Sequence, residues 1–348
     1  MDLLPILQQH LSRYPAMTAQ DSAKLIYQAV LGPAHLGRMG TPPPTYIANE
    51  MQKAPKRDLP LMESIGNGLC RLHLDSTANH LRPETIHGLF LLTAKQHQGT
   101  LEQLKEQLAV WKANATFSDE ETDAELAQLE ESGYAPVSHS QPYHEAYDPH
   151  YRLFLEKYQK YIPLLEAIDR RISSGQKTLL AIDGRCASGK TTLSAFLSEI
   201  YQCSVIHMDD FFLPFERKTQ ERLAEAGGNI DRERFHQEVI LPYLAGKDLS
   251  YGKYQCSVGA VTSSINIPQQ DVIIVEGTYS MHPLMQDAYD IKVFSTCSPE
   301  LQTQRILARD GEPMLQRFVN EWIPMEEQYF STFHIKDHCN FVFNSNKQ

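Results

Sequence analysis

An α/β unit with a mainly parallel sheet flanked by helices, preceded by a mainly α-helical domain, is the architecture the sequence predicts. Three observations carry it. Leu179-Leu180-Ala181-Ile182 is a short apolar run of the kind that forms a buried strand. Gly184-Arg185-Cys186-Ala187-Ser188-Gly189-Lys190-Thr191 follows at once and fits G-x-x-x-x-G-K-[ST], a phosphate-binding loop. After it, Leu193, Phe196, Leu197 and Ile200 share one helix face, and strands then alternate with helices to the end of the chain.

The loop sets the chemistry. Gly184 and Gly189 let the backbone curl so that successive N–H groups face a polyphosphate. The N-terminus of the next helix adds its dipole and unpaired donors, so Ala187, Ser188, Gly189 and Thr192 join the binding set. Lys190 suits β/γ oxygens and the Thr191 hydroxyl suits Mg²⁺. The expected cofactors are a nucleoside triphosphate, ATP, and Mg²⁺.

Bulk properties set the bounds. A chain of 348 residues exceeds what one hydrophobic core usually organises, about 250–300 residues, so two domains are expected, 1–150 and 151–348. The net charge of −11, without a basic stripe, argues against a nucleic-acid partner. Six cysteines occur singly, which suits a reducing cytoplasm. Met1-Asp2-Leu3-Leu4-Pro5 has neither a basic n-region nor a long apolar run, so neither export nor a membrane partner is expected. A small-molecule substrate is the partner this composition favours, with homo-oligomerisation left open.

Residues 1–150 carry helical spacing at Leu25 and Ala29 and at Leu101, Leu104, Leu108 and Trp111. Gly32–Gly37 reads as a structured turn and Gly40–Pro44 as an extended break. Ser118 with Glu121 fits a capping box, and Gly133 closes that helix; its seven acids make a solvated face. Arg71-Leu72-His73-Leu74 alternates as a strand or buried turn would. Nine of fourteen histidines fall before residue 151, most densely over 138–152. That stretch could line a polar ligand pocket; His144 and Asp148 could share a metal only on a helix, which Pro142 and Pro149 disfavour. From Tyr151 to Ser173 the apolar spacing predicts a leading helix over 151–175, interrupted at Pro163.

In the second domain, Cys203–Met208 predicts a strand ending at Asp209-Asp210-Phe211-Phe212. Ligands of open α/β sheets bind at the carboxyl ends of strands, so Asp209 is placed to accept a proton from an attacking hydroxyl; spacing leaves Asp210 as its rival. Val272–Val275 predicts a buried strand ending at Glu276, a position for holding Mg²⁺ through water. Ile291–Phe294 predicts a further strand, and the helix after it carries Arg305 and Arg309, which can steady a transferring phosphoryl group. The segment Phe318–Glu326 is apolar enough for packing, although Trp322 could stack on a base.

Ala181 through Thr192, Met208-Asp209-Asp210-Phe211-Phe212, Ile274-Val275-Glu276-Gly277 and Arg305–Asp310, in that order and spacing, resemble the uridine kinase family. That family belongs to the P-loop small-molecule kinases, with phosphoribulokinase and bacterial pantothenate kinase. The resemblance covers about residues 177–345 and implies a P-loop kinase domain that phosphorylates a small metabolite, with nucleosides as the leading class. It also implies that Asp209 is the catalytic aspartate and that Phe212 stands where a tyrosine is usual. Asp231 would be a sugar ligand within Asn229-Ile230-Asp231, and Tyr254 a substrate contact. The segment Gln255–Gly259 lacks the family's base-reading histidine, which leaves pantothenate, a sugar phosphate or glycerate as alternative acceptors. An ATP-binding switch acting through residues 1–150 is the rival of another class.

Overall fold

Residues 2–33 and 43–346 are described by the structure, a computed structural model. The chain divides into two units, Met1–Glu166 and Ala167–Gln348. The first packs helices α1 (Leu4–Arg13), α2 (Ala19–Leu31), α3 (Pro44–Lys53), α4 (Pro83–Gln96), α5 (Leu101–Ala113), α6 (Asp119–Glu131) and α7 (Gln141–Tyr147) with a small sheet. That sheet is antiparallel, in the order β1 (Met62–Gly66), β2 (Leu69–His73), β3 (Tyr151–Leu155). Its core centres on α2, whose Ala23, Leu25, Ile26, Ala29 and Val30 are buried with Leu104, Leu108, Trp111 and Leu129. Capping boxes start α2 at Thr18, α5 at Thr100 and α6 at Ser118, and Gly133 follows α6 with φ +63°.

Two expectations change here. The boundary lies at Glu166/Ala167 and not at residue 150, because Tyr151–Leu155 is the third strand of the first unit, registered on β2 from Leu69↔Leu155 to His73↔Tyr151. The leading helix is accordingly shorter: α8 (Ile162–Ser173) begins beside Pro163, which is tolerated in a first turn. Five residues, Tyr151–Leu155, are too few to show a period that separates strand from helix, so pairing with β2 decides the matter. His144 is exposed on α7, whereas Asp148 terminates it in the left-handed region, 3.3 Å from His150. Among the described residues no cluster of three metal-ligating side chains occurs. The proposed turn and break at residues 32–44 lie largely outside the described residues.

The second unit is built on five parallel strands. In chain order its elements begin with β4 (Thr178–Gly184), α9 (Lys190–Tyr201) and β5 (Ser204–His207), then the short helices α10 (Gln220–Ala224), α11 (Arg232–Phe235) and α12 (Leu241–Leu244). A two-stranded hairpin follows, β6 (Leu249–Gln255) with β7 (Ala260–Ile267), then β8 (Val272–Glu276) and β9 (Ile291–Thr296). The chain closes with α13 (Pro299–Asp310), α14 (Glu312–Arg317), α15 (Ile323–Thr332) and β10 (Phe341–Asn344). The sheet order is β10-β9-β4-β8-β5, with β4 central and every residue of it buried. Strands buried on both faces need no alternation of polar and apolar residues, which is why Leu179–Ile182 of β4 and Val272–Val275 of β8 read as unbroken apolar runs. No helix among the described residues is long and apolar enough to cross a membrane.

Candidate active site

The loop between β4 and α9 owes its shape to carbonyls that are turned outward. Gln302 donates to the Cys186 carbonyl (3.1 Å), Arg305 to that of Ala187 (3.0 Å) and Ser295 to that of Ser188 (2.9 Å). These three C=O groups are held from outside the loop, and Gly189 caps α9 with φ +95°. A Cβ on Gly189 would meet nothing within 4 Å, which leaves room above the helix N-terminus for a phosphate. At Gly184 a Cβ would lie 1.9 Å from the Ser295 carbonyl oxygen, so only glycine fits between β4 and β9.

Lys190 is buried and its Nζ donates to the Gly184 and Arg185 carbonyls, both at 2.8 Å. Thr191 and Thr192 are exposed in the first turn of α9. The Thr191 hydroxyl stands 3.4 Å from Glu276 at the end of β8, so the two expected Mg²⁺ groups share one place. His207, at the end of β5, meets the same Glu276 carboxylate at 2.7 Å; that bond raises the imidazole's pKa. An oxygen pair of this kind beside a phosphate cradle suits a hard divalent cation.

Asp209 and Asp210 occupy a single 3₁₀ turn after β5 and separate there. Asp210 is buried, 3.5 Å from the Tyr251 hydroxyl and 3.9 Å from Lys253 Nζ. Asp209 is exposed at the strand ends, and its pKa is raised. Removal from bulk water is the larger cause and the Glu276 charge the next, with Lys190 and His207 opposing. Asp209 is thus the open carboxylate of the pair.

Several residues have other tasks than those expected. Arg305 props the loop, donating to the Ala187 carbonyl (3.0 Å) and the Ser345 hydroxyl (2.8 Å). Arg309 is exposed, pairs with Asp310 at 2.8 Å and lies 5.8 Å over Phe318, and its charge still interacts with Asp209, so its expected role is not overturned. Asp231 is buried as the N-cap of α11: it accepts from the Arg234 amide at 3.2 Å and pairs with Arg217, so its carboxylate is already engaged. Phe212 and Tyr254 do meet, edge to face at 6.4 Å, with Lys218 Nζ 6.0 Å from the Tyr254 ring centre. Trp322 packs on Phe318 at 4.5 Å and under Arg317, which makes it part of a small apolar cluster with Cys186 and Ile306.

Sequence reasoning missed the supports. The Asp183 carboxylate accepts from the amides of Gly184 (2.7 Å), Tyr279 (3.2 Å) and Met281 (2.9 Å) and from the Tyr329 hydroxyl (2.8 Å). Glu326 on α15 accepts from the Cys186 amide at 3.0 Å, and its neighbour Glu327 forks onto Arg185, whose Nη2 is 3.0 Å away. Burial raises the pKa of both Asp183 and Glu326. Partners about 140 residues apart leave no local trace; a carboxylate just before the first loop glycine was the one visible signal.

The parallel sheet, the loop and the helix that follows define a P-loop unit of the nucleoside triphosphate-binding class. No family model and no curated protein matches the chain. Among solved structures, the chain is similar to that of a possible uridine kinase from Bacillus stearothermophilus, at 22% identity and TM-score 0.39 over 52% of this chain and 100% of that one. It is similar also to a shikimate kinase from Bacteroides thetaiotaomicron, at 18% identity and TM-score 0.28 over 49% of this chain and 87% of that one. A shikimate kinase from Acinetobacter baumannii in complex with shikimate gives 16% identity and TM-score 0.28 over 51% and 88%. These are likenesses of fold over about half of the chain.

Proposed function

We propose that the second unit is an ATP- and Mg²⁺-dependent kinase that phosphorylates a hydroxyl group of a small metabolite. One observation carries the reading: an open carboxylate, Asp209, stands at the strand ends together with the phosphate loop and the Thr191–Glu276 pair. A nucleotide-binding switch has no need of such a group. In this reading Lys190 and the loop amides hold the polyphosphate, and Thr191 and Glu276 hold the metal, which when bound neutralises phosphate charge. Asp209 takes the proton of the acceptor hydroxyl, and its raised pKa suits that task.

The acceptor is read from the Phe212–Tyr254 side. A nucleoside or related ribosyl compound is the first class to test, on the resemblance described above. A second reading, an anionic acceptor such as a sugar phosphate, is favoured by the engagement of Asp231 with Arg217 and by exposed Lys253. The experiment is Mg²⁺-dependent ADP release from ATP against separate pools of nucleosides, vitamins and sugar phosphates. Stimulation by one pool supports the kinase reading and selects the acceptor class. ATP binding with no stimulation by any pool favours the switch.

A further inference from the structure

The end of β5 carries a side chain to which phosphoryl transfer assigns no task. His207 is the last residue of β5 and lies in register with Glu276, the last residue of β8. Neighbouring strands run about 4.8 Å apart, so two residues in register leave the sheet on one face, within reach of each other. Their bond is short, 2.7 Å from His207 Nδ1 to Glu276 Oε1. A carboxylate only accepts, which fixes the imidazole proton on Nδ1.

The pair is lopsided. The Glu276 side chain is 9% exposed and that of His207 45%. A carboxylate withdrawn from water needs a donor to compensate it. Among the described residues, His207 is the one basic side chain paired with Glu276. Lys190 Nζ is turned instead to the Gly184 and Arg185 carbonyls and to the Thr278 hydroxyl (3.2 Å).

The bond also has a direction. It takes Oε1 and leaves Oε2 with the Thr191 hydroxyl, at 3.5 Å. A glutamate carboxyl is otherwise loosely held about its last torsion, whereas Mg²⁺ demands near-octahedral oxygens. Hydrogen bonds that orient such ligands are worth about 10–100-fold in metal affinity.

We infer that His207 is a positioning residue for the divalent cation: its Nδ1–H holds Glu276 Oε1 and so fixes the orientation in which Oε2 stands beside Thr191. The inference rests on the proposed metal role of Glu276. It gives His207 no contact with the metal, since Mg²⁺ takes oxygen ligands.

The test is metal coupling, read without turnover. The affinity of the full-length protein for AMP-PNP, a non-hydrolysable ATP analogue, is measured by calorimetry with Mg²⁺ and again with EDTA, and the ratio of the two is compared between variants. His207→Ala should lower that ratio by at least about tenfold, while its affinity in EDTA stays within about threefold of wild type. In His207→Asn, whose Nδ2 can donate in place of the imidazole Nδ1, the ratio should return to within about threefold of wild type. Glu276→Gln probes the underlying reading and should lower the ratio at least as far as His207→Ala. If wild type shows no gain with Mg²⁺, or Glu276→Gln keeps the wild-type ratio, the metal role of Glu276 fails and the inference falls with it. If Glu276→Gln loses the ratio and His207→Ala does not, the role of Glu276 stands and the inference alone is overturned. Equal losses with Mg²⁺ and in EDTA, which mean damage to the loop, also overturn it. So does a ratio in His207→Asn that stays with that of His207→Ala.

Discussion

Asp21 in the first unit and Asp183 in the second are both buried aspartates that accept several hydrogen bonds, yet they titrate in opposite directions. Burial acts to raise both. At Asp21 it is outweighed by donors that include the His139 ring, and the pKa falls far below the ordinary carboxylate value. At Asp183 the donors are amides and one phenol, and burial wins. The count of hydrogen bonds does not decide the matter. What decides is whether a basic side chain stands among the donors. The same contrast separates Glu63, lowered to about 2, from Glu326, which is raised.

Breaking the frame of the P-loop unit should have the largest effect. Gly184→Ala drives a Cβ into the Ser295 carbonyl at a φ of +137°, and should cost at least about 4 kcal/mol. Urea unfolding followed through Trp322 would measure it, with Trp111 changed to Phe so that one tryptophan reports; a loss under about 1 kcal/mol would mean that β4 and β9 can part there.

Acid should then separate the two units. Glu63 is held ionised down to about pH 2, so stability that it contributes above its ordinary 4.5 is lost as pH falls from there towards 2. His139 resists protonation down to about 3, so an unfolded chain gains a proton that the folded one refuses as pH falls below 6.5. Raised Asp183 and Glu326 have the opposite sign, because the folded state binds protons more readily than the unfolded one as pH falls. The Trp111 signal of the first unit should therefore be lost at a higher pH than the Trp322 signal. Coincident acid transitions would contradict the contrast.

Neutral substitutions sharpen it at constant pH. At pH 8, Asp21→Asn should lower stability by about 2 kcal/mol or more, since it discards a favourable charge and mismatches the His139 donor. Glu326→Gln keeps an acceptor for the Cys186 amide while removing an unfavourable buried charge, so thermal unfolding should move by less than about 1 kcal/mol. Ser118→Ala opens the capping box of α6 on an exposed face and should cost about 1 kcal/mol in the first unit alone.

What could be read in the sequence follows the range of the interactions. The loop, the strand ends at Asp209 and Glu276 and the capping of α6 are set by neighbours within a few residues, and each is where spacing puts it. Strand β3 was hidden because its partner β2 lies 80 residues earlier and its own five residues have no distinctive period. Arg305 and Asp231 were legible as chemical types but not as directions. A guanidinium on the right helix can prop a loop carbonyl, and an aspartate before a helix is drawn into its cap. Asp183 was visible only as a carboxylate before the first loop glycine and Glu326 not at all, since burial and distant partners give those residues their character.

The most direct test of the central reading is acceptor-stimulated ADP release by wild type and by Asp209→Asn, with ATP affinity measured on both. The reading expects one pool of small hydroxyl compounds to stimulate wild type, and the variant to lose about 10²–10⁴ of that rate with ATP affinity unchanged. Wild-type-like stimulation in Asp209→Asn would remove the open carboxylate from the chemistry, and with it the observation on which the kinase reading stands.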